Sequence, residues 1–178
     1  GSWGATLAQV LNDNGHDTLI YDINETTVSS INNGRHPLLE VDLLGLKATT
    51  SLDETLAFSD RIVLAVPTKF MRDSLKTINQ SAFRKMYFIN VSKGIEPDTL
   101  KRVSEIVVDE ISPEFYGAYA ALTGPSHAEE VVLRKLTVLT AASQDEGFAR
   151  EVQQLFSNQN YLRVYSSNDL IGCEVGGA

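Results

Sequence analysis

The sequence has 178 residues, of which 43% are hydrophobic and 21% charged, with a formal net charge of −8. This length supports one substantial core, and the acidic balance, with no lysine- or arginine-rich stripe, argues against nucleic acid as a partner. The single cysteine, Cys173, excludes an internal disulfide and fits a reducing, cytoplasmic setting, and no apolar run approaches the roughly 20 residues of a membrane span.

The first element is a glycine turn that leads into a helix. Gly1-Ser2-Trp3-Gly4 precedes an amphipathic segment at 5–14, and the short apolar segment 18–21 is followed by Asp22. This order is the second half of a dinucleotide-binding fingerprint: a glycine turn, a helix, a strand, and an acid about 20 residues on. Glycines let the backbone approach a pyrophosphate, and the helix N-terminus presents unpaired N–H groups to it. We therefore expect the strand and the first glycine of the fingerprint to precede Gly1.

Segments typical of strands and helices then alternate along the chain. Besides 18–21, strands are predicted at 46–49, 61–65, 86–91, 118–122, 137–141 and 161–165, and helices at 25–33, 52–58, 72–78, 100–111, 128–134 and 147–158. Such alternation predicts an α/β fold with a doubly wound, mostly parallel sheet of the Rossmann type. The run 61–66 is apolar nearly throughout, which is typical of a strand covered on both faces, whereas 31–46 reads as a loop of uncertain form.

Three helix starts carry recognisable signals. Capping-box patterns occur at 51–54, Ser-Leu-Asp-Glu, and at 126–129, Ser-His-Ala-Glu. Pro97 occupies a position typical of a first helical turn. These patterns predict helices that start at Ser51, at Ser126 and near Pro97.

Ligands of open parallel sheets bind beyond the carboxyl ends of the strands. The turns that follow three of the predicted strands are Pro67-Thr68-Lys69, Ser92-Lys93-Gly94 and Thr123-Gly124-Pro125-Ser126. Because the strands are predicted to be parallel, we expect these turns to meet residues 1–4 at one crevice.

Each candidate residue has an alternative explanation that needs no ligand. Lys93 could polarise a carbonyl or hold a phosphate, or it could be a solvated loop lysine. Gly124 and Ser126 could form an anion site at a helix start, although an ordinary N-cap is the commoner explanation. Asp22 is expected to accept hydrogen bonds from a ribose rather than to be an incidental surface acid. Trp3 could pack on a cofactor or fill the core under the helix.

The sequence offers no pattern for metal or hydrolytic chemistry. His16, His36 and His127 are scattered and form no Cys/His/carboxylate cluster at ligand spacing, so no metal site is predicted. The sequence contains neither a hydrolase nucleophile elbow nor a nucleoside triphosphatase phosphate loop. Cys173 is expected to be a small packed residue rather than a nucleophile.

Five segments match one family in order and spacing. They are Gly1-Ser2-Trp3-Gly4, Ala65-Val66-Pro67, Ser92-Lys93-Gly94-Ile95-Glu96, Leu122-Thr123-Gly124-Pro125-Ser126 and Gly172-Cys173-Glu174-Val175-Gly176-Gly177-Ala178. Together they closely resemble the bacterial-type NAD(P)-dependent glycerol-3-phosphate dehydrogenases over the whole chain. The resemblance implies a dinucleotide-binding domain at 1–166 and the start of a helical substrate domain at 167–178. It also implies a sequence that is incomplete at both ends, with the helical C-terminal domain missing.

The resemblance implies hydride transfer between the nicotinamide of NAD or NADP and dihydroxyacetone phosphate, giving sn-glycerol 3-phosphate for phospholipid synthesis. Together with the fingerprint, it assigns to the cofactor Gly1, Ser2, Trp3, Gly4, Asp22, Pro67, Lys93 and Ala128. It assigns Lys93, Gly124 and Ser126 to the triose phosphate, with Lys93 as a catalytic residue, and places the proton-donor lysine beyond Ala178. For the complete protein we expect a cytoplasmic homodimer that binds neither nucleic acid nor membrane.

Three departures from the family pattern bear on function. Asp22 stands where relatives that use NADPH often carry a non-acidic residue, which favours NAD. The segment 31–46 is a few residues short, and His127 replaces an expected aromatic residue, usually Phe, beside the substrate. Two alternatives stay open: a related dehydrogenase of the β-hydroxyacid or nucleotide-sugar type, and a non-catalytic dinucleotide-binding fragment.

Overall fold

Strands that alternate with helices make up the protein, described here for residues 1–177 by a computed structural model. In chain order the elements are α1 (Ser2–Asp13), β1 (Leu19–Tyr21), α2 (Glu25–Asn32), β2 (Lys47–Thr49), α3 (Leu52–Phe58), β3 (Arg61–Leu64), a 3₁₀ turn (Thr68–Phe70), α4 (Met71–Gln80), β4 (Met86–Asn90), α5 (Val103–Glu110), β5 (Tyr116–Thr123), α6 (Ala128–Val131), β6 (Thr137–Ala142), α7 (Glu146–Phe156), β7 (Leu162–Ser167) and α8 (Leu170–Gly176). None of these helices combines the length and the apolar character that a membrane crossing requires. Ala178, the last residue of the fifth family segment, lies outside the described residues.

The strands form a mostly parallel arrangement, as predicted. β1 and β2 pair in parallel as a two-stranded sheet, and the other strands form a five-stranded sheet in the order β3-β4-β5-β6-β7. Within the larger sheet only β5 and β6 run antiparallel. The predicted α/β class with a mostly parallel sheet is therefore confirmed.

Helices cover both faces of the larger sheet, which makes it doubly wound. Consecutive side chains of a strand point to opposite faces, and on β5 Ala120 belongs to one apolar cluster and Ala121 to another. The first cluster contains residues of α1 and α7, and the second contains residues of α4, α5 and α8. The small alanine side chains on β5 let both helical layers approach the sheet closely.

The edge strand β3 also contacts both layers. Val63 packs against the first cluster and Ile62 against the second, although both are only partly buried. The prediction that this run is covered on both faces is therefore correct, and its partial exposure follows from its place at the edge of the five-stranded sheet.

The start of α1 differs from the prediction. The helix was expected to begin at residue 5, but it begins at Ser2 with Gly1 as its N-cap. Residues 2–4 are thus the first helical turn rather than a separate loop. A Cβ on Gly4 would lie 3.1 Å from the Cβ of Ala65, just after β3, so the missing side chain lets α1 pack tightly on the end of this strand.

The helix predicted at 100–111 begins only at Val103. Leu100 adopts a φ of 57°, a left-handed conformation that an α-helix cannot contain. The preceding segment is instead a turn, in which the Glu96 N–H donates to the Lys101 carbonyl at 2.9 Å and the Leu100 N–H donates to the Glu96 carbonyl. Pro97 therefore lies in this turn, and its predicted place in a first helical turn is wrong.

The two predicted capping boxes have different outcomes. Ser51 caps α3 by accepting from the Glu54 N–H at 3.2 Å, but the Glu54 carboxylate accepts from the Thr49 hydroxyl instead of closing the box. The N-cap of α6 is His127, not Ser126, and this helix ends at Val131 instead of continuing to residue 134. The capping role predicted for Ser126 is therefore wrong, and its hydroxyl is left for other contacts.

An ion-pair cluster centred on Arg72 holds the irregular segment 92–102. Arg72, at the start of α4, donates two parallel hydrogen bonds to the Glu96 carboxylate, at 2.9 and 2.7 Å. It also donates to Glu110 and Asp109 on α5. Hydrogen bonds from Arg72 and Thr99 lower the pKa of Glu96 from 4.5 to about 2. This cluster fixes the segment that follows Ser92 and Lys93 without regular secondary structure.

Replacing Arg72 by methionine is expected to lower the free energy of unfolding at pH 7 by about 1–3 kcal/mol, because charge-assisted hydrogen bonds are lost and three carboxylates remain close together. The pKa of Glu96 is lower in the folded protein, so the pair stabilises the fold fully above pH 4.5 and loses its effect as the pH falls through about 2. The difference between wild type and Arg72→Met, measured by urea denaturation, should therefore shrink over this range. Lys76→Met, which removes an exposed pair with Asp73, is the matched control and should change stability by well under about 1 kcal/mol. Equal effects of the two substitutions would contradict the assignment.

Candidate functional site

The candidate site is a narrow hollow at the carboxyl ends of the parallel strands. In the sheet register, Leu64 of β3 pairs with Asn90 of β4, and Asn90 pairs with Ala121 of β5. The three strands therefore end side by side. The hollow beyond them is lined by Trp3, Val91, Ser92, Lys93, Leu122, Thr123, Gly124, Ser126 and Gly177. Its enclosed volume is about 10 Å³, room for about one water-sized group, so a larger ligand would lie across its mouth.

The first turn of α1 borders this hollow through Trp3. The N–H groups of the first helical turn have no partner within the helix, and Gly1 provides no side-chain cap. A 12-residue helix carries a partial positive charge at this end, which makes the turn suitable for an anion such as a phosphate. Trp3 lines the hollow and also packs, partly buried, against the core cluster of α1 and α7.

Asp22 stands beside this helical turn. Its Oδ2 lies 3.4 Å from the Gly1 nitrogen, and its Oδ1 accepts a hydrogen bond from the Asn24 N–H at 2.9 Å. The residue directly follows β1, so strand pairing fixes its backbone. The carboxylate therefore has a defined position next to the first turn of α1, where it can accept a hydrogen bond.

Hydrogen bonds fix the backbone on both sides of Lys93. The Thr68 hydroxyl donates to the Lys93 carbonyl at 2.7 Å, and the Ser92 hydroxyl donates to the Val66 carbonyl at 2.6 Å. Asn90, which is 2% exposed, accepts from the Ser92 N–H at 3.0 Å. The Lys93 side chain itself is exposed. Among residues 1–177 no carboxylate lies within salt-bridge distance of its ammonium group.

Ser126 contributes a buried hydroxyl that has no partner. The residue is 7% exposed, and its Oγ makes no hydrogen bond with any described residue. Leaving a buried hydroxyl unpaired costs about 1–3 kcal/mol, and this one belongs to a residue that lines the hollow. A ligand or a water at the hollow would satisfy it.

Gly124 has a packing reason for being glycine. A Cβ at this position would lie 2.8 Å from the carbonyl oxygen of Val138 and 2.8 Å from Leu139 Cδ2, on the neighbouring strand β6. The close approach of β5 and β6 therefore accounts for this glycine without any ligand. Its backbone still borders the hollow.

The other predicted residues lie around the hollow without lining it. Exposed Pro67 opens the 3₁₀ turn that carries Thr68, and buried Ala128 is the first residue of α6. Gly4 contacts the end of β3, and the Ser2 carbonyl lies 3.1 Å from Nε2 of His36. The structure thus brings Trp3, Lys93, Gly124 and Ser126 to one hollow and places Gly1 and Asp22 next to each other.

Sequence reasoning missed the polar side chains that support this edge. Thr68 and Asn90 are buried and bond to the backbone of the Lys93 turn, and His36 bonds to the first turn of α1. Asn90 could have been found as a polar residue that ends a buried apolar strand. Thr68 was predicted at the crevice as part of the 67–69 turn, but its bond to Lys93, like that of His36 to Ser2, has no local signal because the bonded residues are distant in sequence.

Helix α8 is held against the sheet by a buried carboxylate. Glu174 accepts from the Ser104 N–H at 2.9 Å, the Ser104 hydroxyl at 2.6 Å, the Arg102 guanidinium at 3.1 Å and the Tyr119 hydroxyl at 2.7 Å. Burial and the nearby carboxylate raise the pKa of Tyr119 well above 10. This network places Gly177 at the hollow. On the same helix, burial raises the pKa of the Cys173 thiol, which keeps it protonated and fits the predicted non-nucleophilic role.

A larger cavity lies at the other end of α1. It measures about 390 Å³ and is lined by Asp13, Asn14, Arg134, Asn158, Asn160 and Tyr161. Asp13 is already paired with Arg134 at 2.9 Å and accepts from the Tyr161 hydroxyl at 2.7 Å. A 12-residue helix is about 18 Å long, so this cavity is remote from the strand ends. Within residues 1–177 no group of three or more His, Cys, Asp or Glu could hold a metal ion.

Comparison with known proteins identifies relatives of this chain. A family model described as NAD-dependent glycerol-3-phosphate dehydrogenase N-terminus matches residues 1–149. A glycerol-3-phosphate dehydrogenase (NAD(P)+) of Acholeplasma laidlawii is 70% identical over 178 residues, which are the whole of this chain and 54% of that protein. The protein of the same name from Phytoplasma australiense is 52% identical over 178 residues, again the whole of this chain and 54% of that protein.

A solved structure shares the architecture. The crystal structure of glycerol-3-phosphate dehydrogenase from Coxiella burnetii superposes with a TM-score of 0.84 at 26% sequence identity, covering 99% of this chain and 54% of that chain. The chain thus spans about half the length of the curated relatives it matches. With the family match over residues 1–149 and the agreement in fold, this chain belongs to the family of NAD-dependent glycerol-3-phosphate dehydrogenase N-terminal domains.

Proposed function

We propose that this chain is the dinucleotide-binding half of an enzyme that transfers a hydride between NAD and dihydroxyacetone phosphate or sn-glycerol 3-phosphate. One observation carries the proposal: an exposed lysine without an ion pair, Lys93, borders the same hollow as the unpaired Ser126 hydroxyl and the first turn of α1. A phosphorylated ketone and a pyrophosphate both require such groups, namely a cation, a hydroxyl donor and free backbone N–H groups. The relatives named above carry this activity in their names.

The residues of the N-terminal edge fit a dinucleotide. The uncapped first turn of α1 can donate N–H groups to the pyrophosphate, and the missing Gly4 side chain lets that turn sit close to the end of β3. The Asp22 carboxylate, next to Gly1, can accept hydrogen bonds from ribose hydroxyls. When bound, the nicotinamide donates or accepts the hydride.

Lys93 and Ser126 act on the substrate in this proposal. The Lys93 ammonium stabilises the negative charge that develops on the carbonyl oxygen during reduction. The Ser126 hydroxyl donates to the substrate, which satisfies a group otherwise left unpaired. Thr68, Ser92 and Asn90 hold the Lys93 backbone in place beforehand, so less entropy is lost when the substrate binds. The resemblance to the family implies that the proton for the alkoxide comes from a lysine that is not part of this chain.

Asp22 favours NAD over NADP in this proposal. Its carboxylate is held by the Asn24 N–H close to the anion-binding turn. A 2′-phosphate on the adenosine ribose would bring a second negative charge to the same place, whereas two ribose hydroxyls would find an acceptor. In the complete enzyme the expected setting is a cytoplasmic homodimer that supplies glycerol phosphate for phospholipid synthesis.

In the complete protein that contains this chain, Lys93→Ala is expected to lower kcat/KM for dihydroxyacetone phosphate by about 10²–10³-fold, the usual effect of removing one electrostatic stabiliser. The measurement is the oxidation of NADH at varied substrate concentration. Lys135→Ala, which changes an exposed lysine paired with Glu130, is the control and should leave kcat/KM unchanged. Wild-type turnover of UDP-glucose or a β-hydroxyacid in place of the triose phosphate would assign a different substrate to the same fold.

Asp22→Asn is expected to raise the use of NADP relative to NAD by about tenfold. The change removes the repulsion between the Asp22 carboxylate and the 2′-phosphate of NADP. For unit charges about 6 Å apart in an effective dielectric of about 40, this repulsion is about 1.4 kcal/mol. The ratio of kcat/KM for NADPH and NADH measures the effect. Asp17→Asn, at an exposed position just before β1, controls for the loss of one negative charge. If the ratio moves equally in both variants, Asp22 does not select the cofactor.

A further inference from the structure

His36 is a buried residue whose ring joins two separate parts of the chain. It lies in the loop between α2 and β2 and is 4% exposed. Its Nδ1 accepts hydrogen bonds from the Leu38 N–H at 3.2 Å and the Leu39 N–H at 2.9 Å. Its Nε2 lies 3.1 Å from the Ser2 carbonyl oxygen and 3.3 Å from Thr6 Oγ1.

These partners assign the tautomer of the ring. Two N–H groups point at Nδ1, so this nitrogen must carry a lone pair. The hydrogen of the neutral ring is then on Nε2, which donates to the Ser2 carbonyl and approaches the Thr6 hydroxyl. Burial lowers the pKa of His36 below 6.5, although the hydrogen bond with the Ser2 carbonyl and the nearby Glu129 carboxylate oppose the shift. The ring is therefore neutral at pH 7, as the hydrogen bonds require.

The loop that carries His36 is itself well fixed. The His36 N–H donates to the Val41 carbonyl at 2.9 Å, and the Leu43 N–H donates to the Gly34 carbonyl at 2.7 Å. An antiparallel bridge between Arg35 and Asp42 closes the loop. A hydrogen bond from such a loop can hold the part of the chain to which it is joined.

The part held by His36 is the first turn of α1. Ser2 belongs to the same helical turn as Trp3, which lines the hollow, and no side chain caps this helix end. The Ser2 carbonyl points along the helix, opposite to the N–H groups, so a donor on the carbonyl does not compete with an anion at the N–H side. The Nε2–H bond from His36 thus fixes the orientation of the turn from behind.

We propose that His36 is a positioning residue for dinucleotide binding, because its Nε2–H holds the Ser2 carbonyl and thereby aims the free N–H groups of α1 at the pyrophosphate. This inference rests on the proposed function, since it concerns the same cofactor site. His36 does not touch the cofactor, and its effect passes through the backbone of Ser2.

Two substitutions separate the roles of the two ring nitrogens. In His36→Asn, the side-chain oxygen can take the place of Nδ1 and accept from the N–H groups two and three residues on, as in an Asx turn, but the donor to Ser2 is lost. In His36→Gln, the side-chain amide can take the place of Nε2 and donate to Ser2, but the Leu38 and Leu39 N–H groups lose their acceptor. His16→Asn and His16→Gln, just beyond the far end of α1, are the matched controls.

The test is the dissociation constant for NAD, by calorimetry on the complete protein, with the midpoint of thermal unfolding measured beside it. His36→Asn is expected to weaken NAD binding about three- to tenfold, the effect of one lost hydrogen bond, with a small change in unfolding midpoint. His36→Gln is expected to lower the unfolding midpoint more but to bind NAD nearly as wild type does. Steady-state kinetics of His36→Asn should show a raised KM for NADH with kcat nearly unchanged.

The relative NAD affinities of His36→Asn and His36→Gln distinguish a positioning role from a purely structural one. If NAD affinity follows thermal stability, so that His36→Gln is the weaker binder, His36 has a structural role only and the inference is wrong. Equal affinity of His36→Asn and wild type would also overturn it while leaving the proposed function intact. A wild-type protein that does not bind NAD would overturn the proposed function and this inference together.

Discussion

The parallel pairing of β3, β4 and β5 is the constraint on which the candidate site depends. Leu64, Asn90 and Ala121 lie in one row across these strands, so the turns that follow them must lie side by side. Helices on both faces bury the strands and leave the carboxyl edge as the place where polar turns can meet a ligand. Lys93 and Ser126 are 33 positions apart in sequence, yet this pairing brings them to one hollow.

Side chains that do not face the hollow hold its turns in place. Thr68 and Asn90 satisfy backbone groups beside Lys93, and Arg72 holds Glu96 a few residues further on. His36 supports the first turn of α1 in the same way, through its hydrogen bond to the Ser2 carbonyl. A site whose backbone is fixed in this way loses little entropy on binding, which favours geometry suited to a charged transition state. The Ser126 hydroxyl is the exception, since it has no partner among the described residues and could pair with a ligand or a water at the hollow.

The fold could be predicted from the sequence wherever the signal is local or periodic. The apolar runs of β3 and β4, the alternation with helices, and the turn that carries Lys93 could be predicted because burial of parallel strands leaves a continuous apolar pattern. The start of α1, the left-handed Leu100 and the cap of α6 could not be predicted. The tight packing of α1 joins segments far apart in the chain, Gly4 on Ala65, and the turn at Leu100 is an irregular one closed by Glu96 and Lys101, which no periodic pattern signals. The glycine pattern likewise could not show that Gly124 is needed because a side chain there would clash with β6.

We propose that a nicotinamide dinucleotide lies across the mouth of the hollow, between the first turn of α1 and the Lys93 turn. The most direct measurement is a crystal structure of the complete protein with NAD bound. We expect pyrophosphate oxygens within hydrogen-bond distance of the N–H groups of residues 2–4, with the Asp22 carboxylate on the adenosine ribose and the nicotinamide next to Lys93. A dinucleotide bound instead in the cavity lined by Asp13, Arg134 and Tyr161 would contradict it.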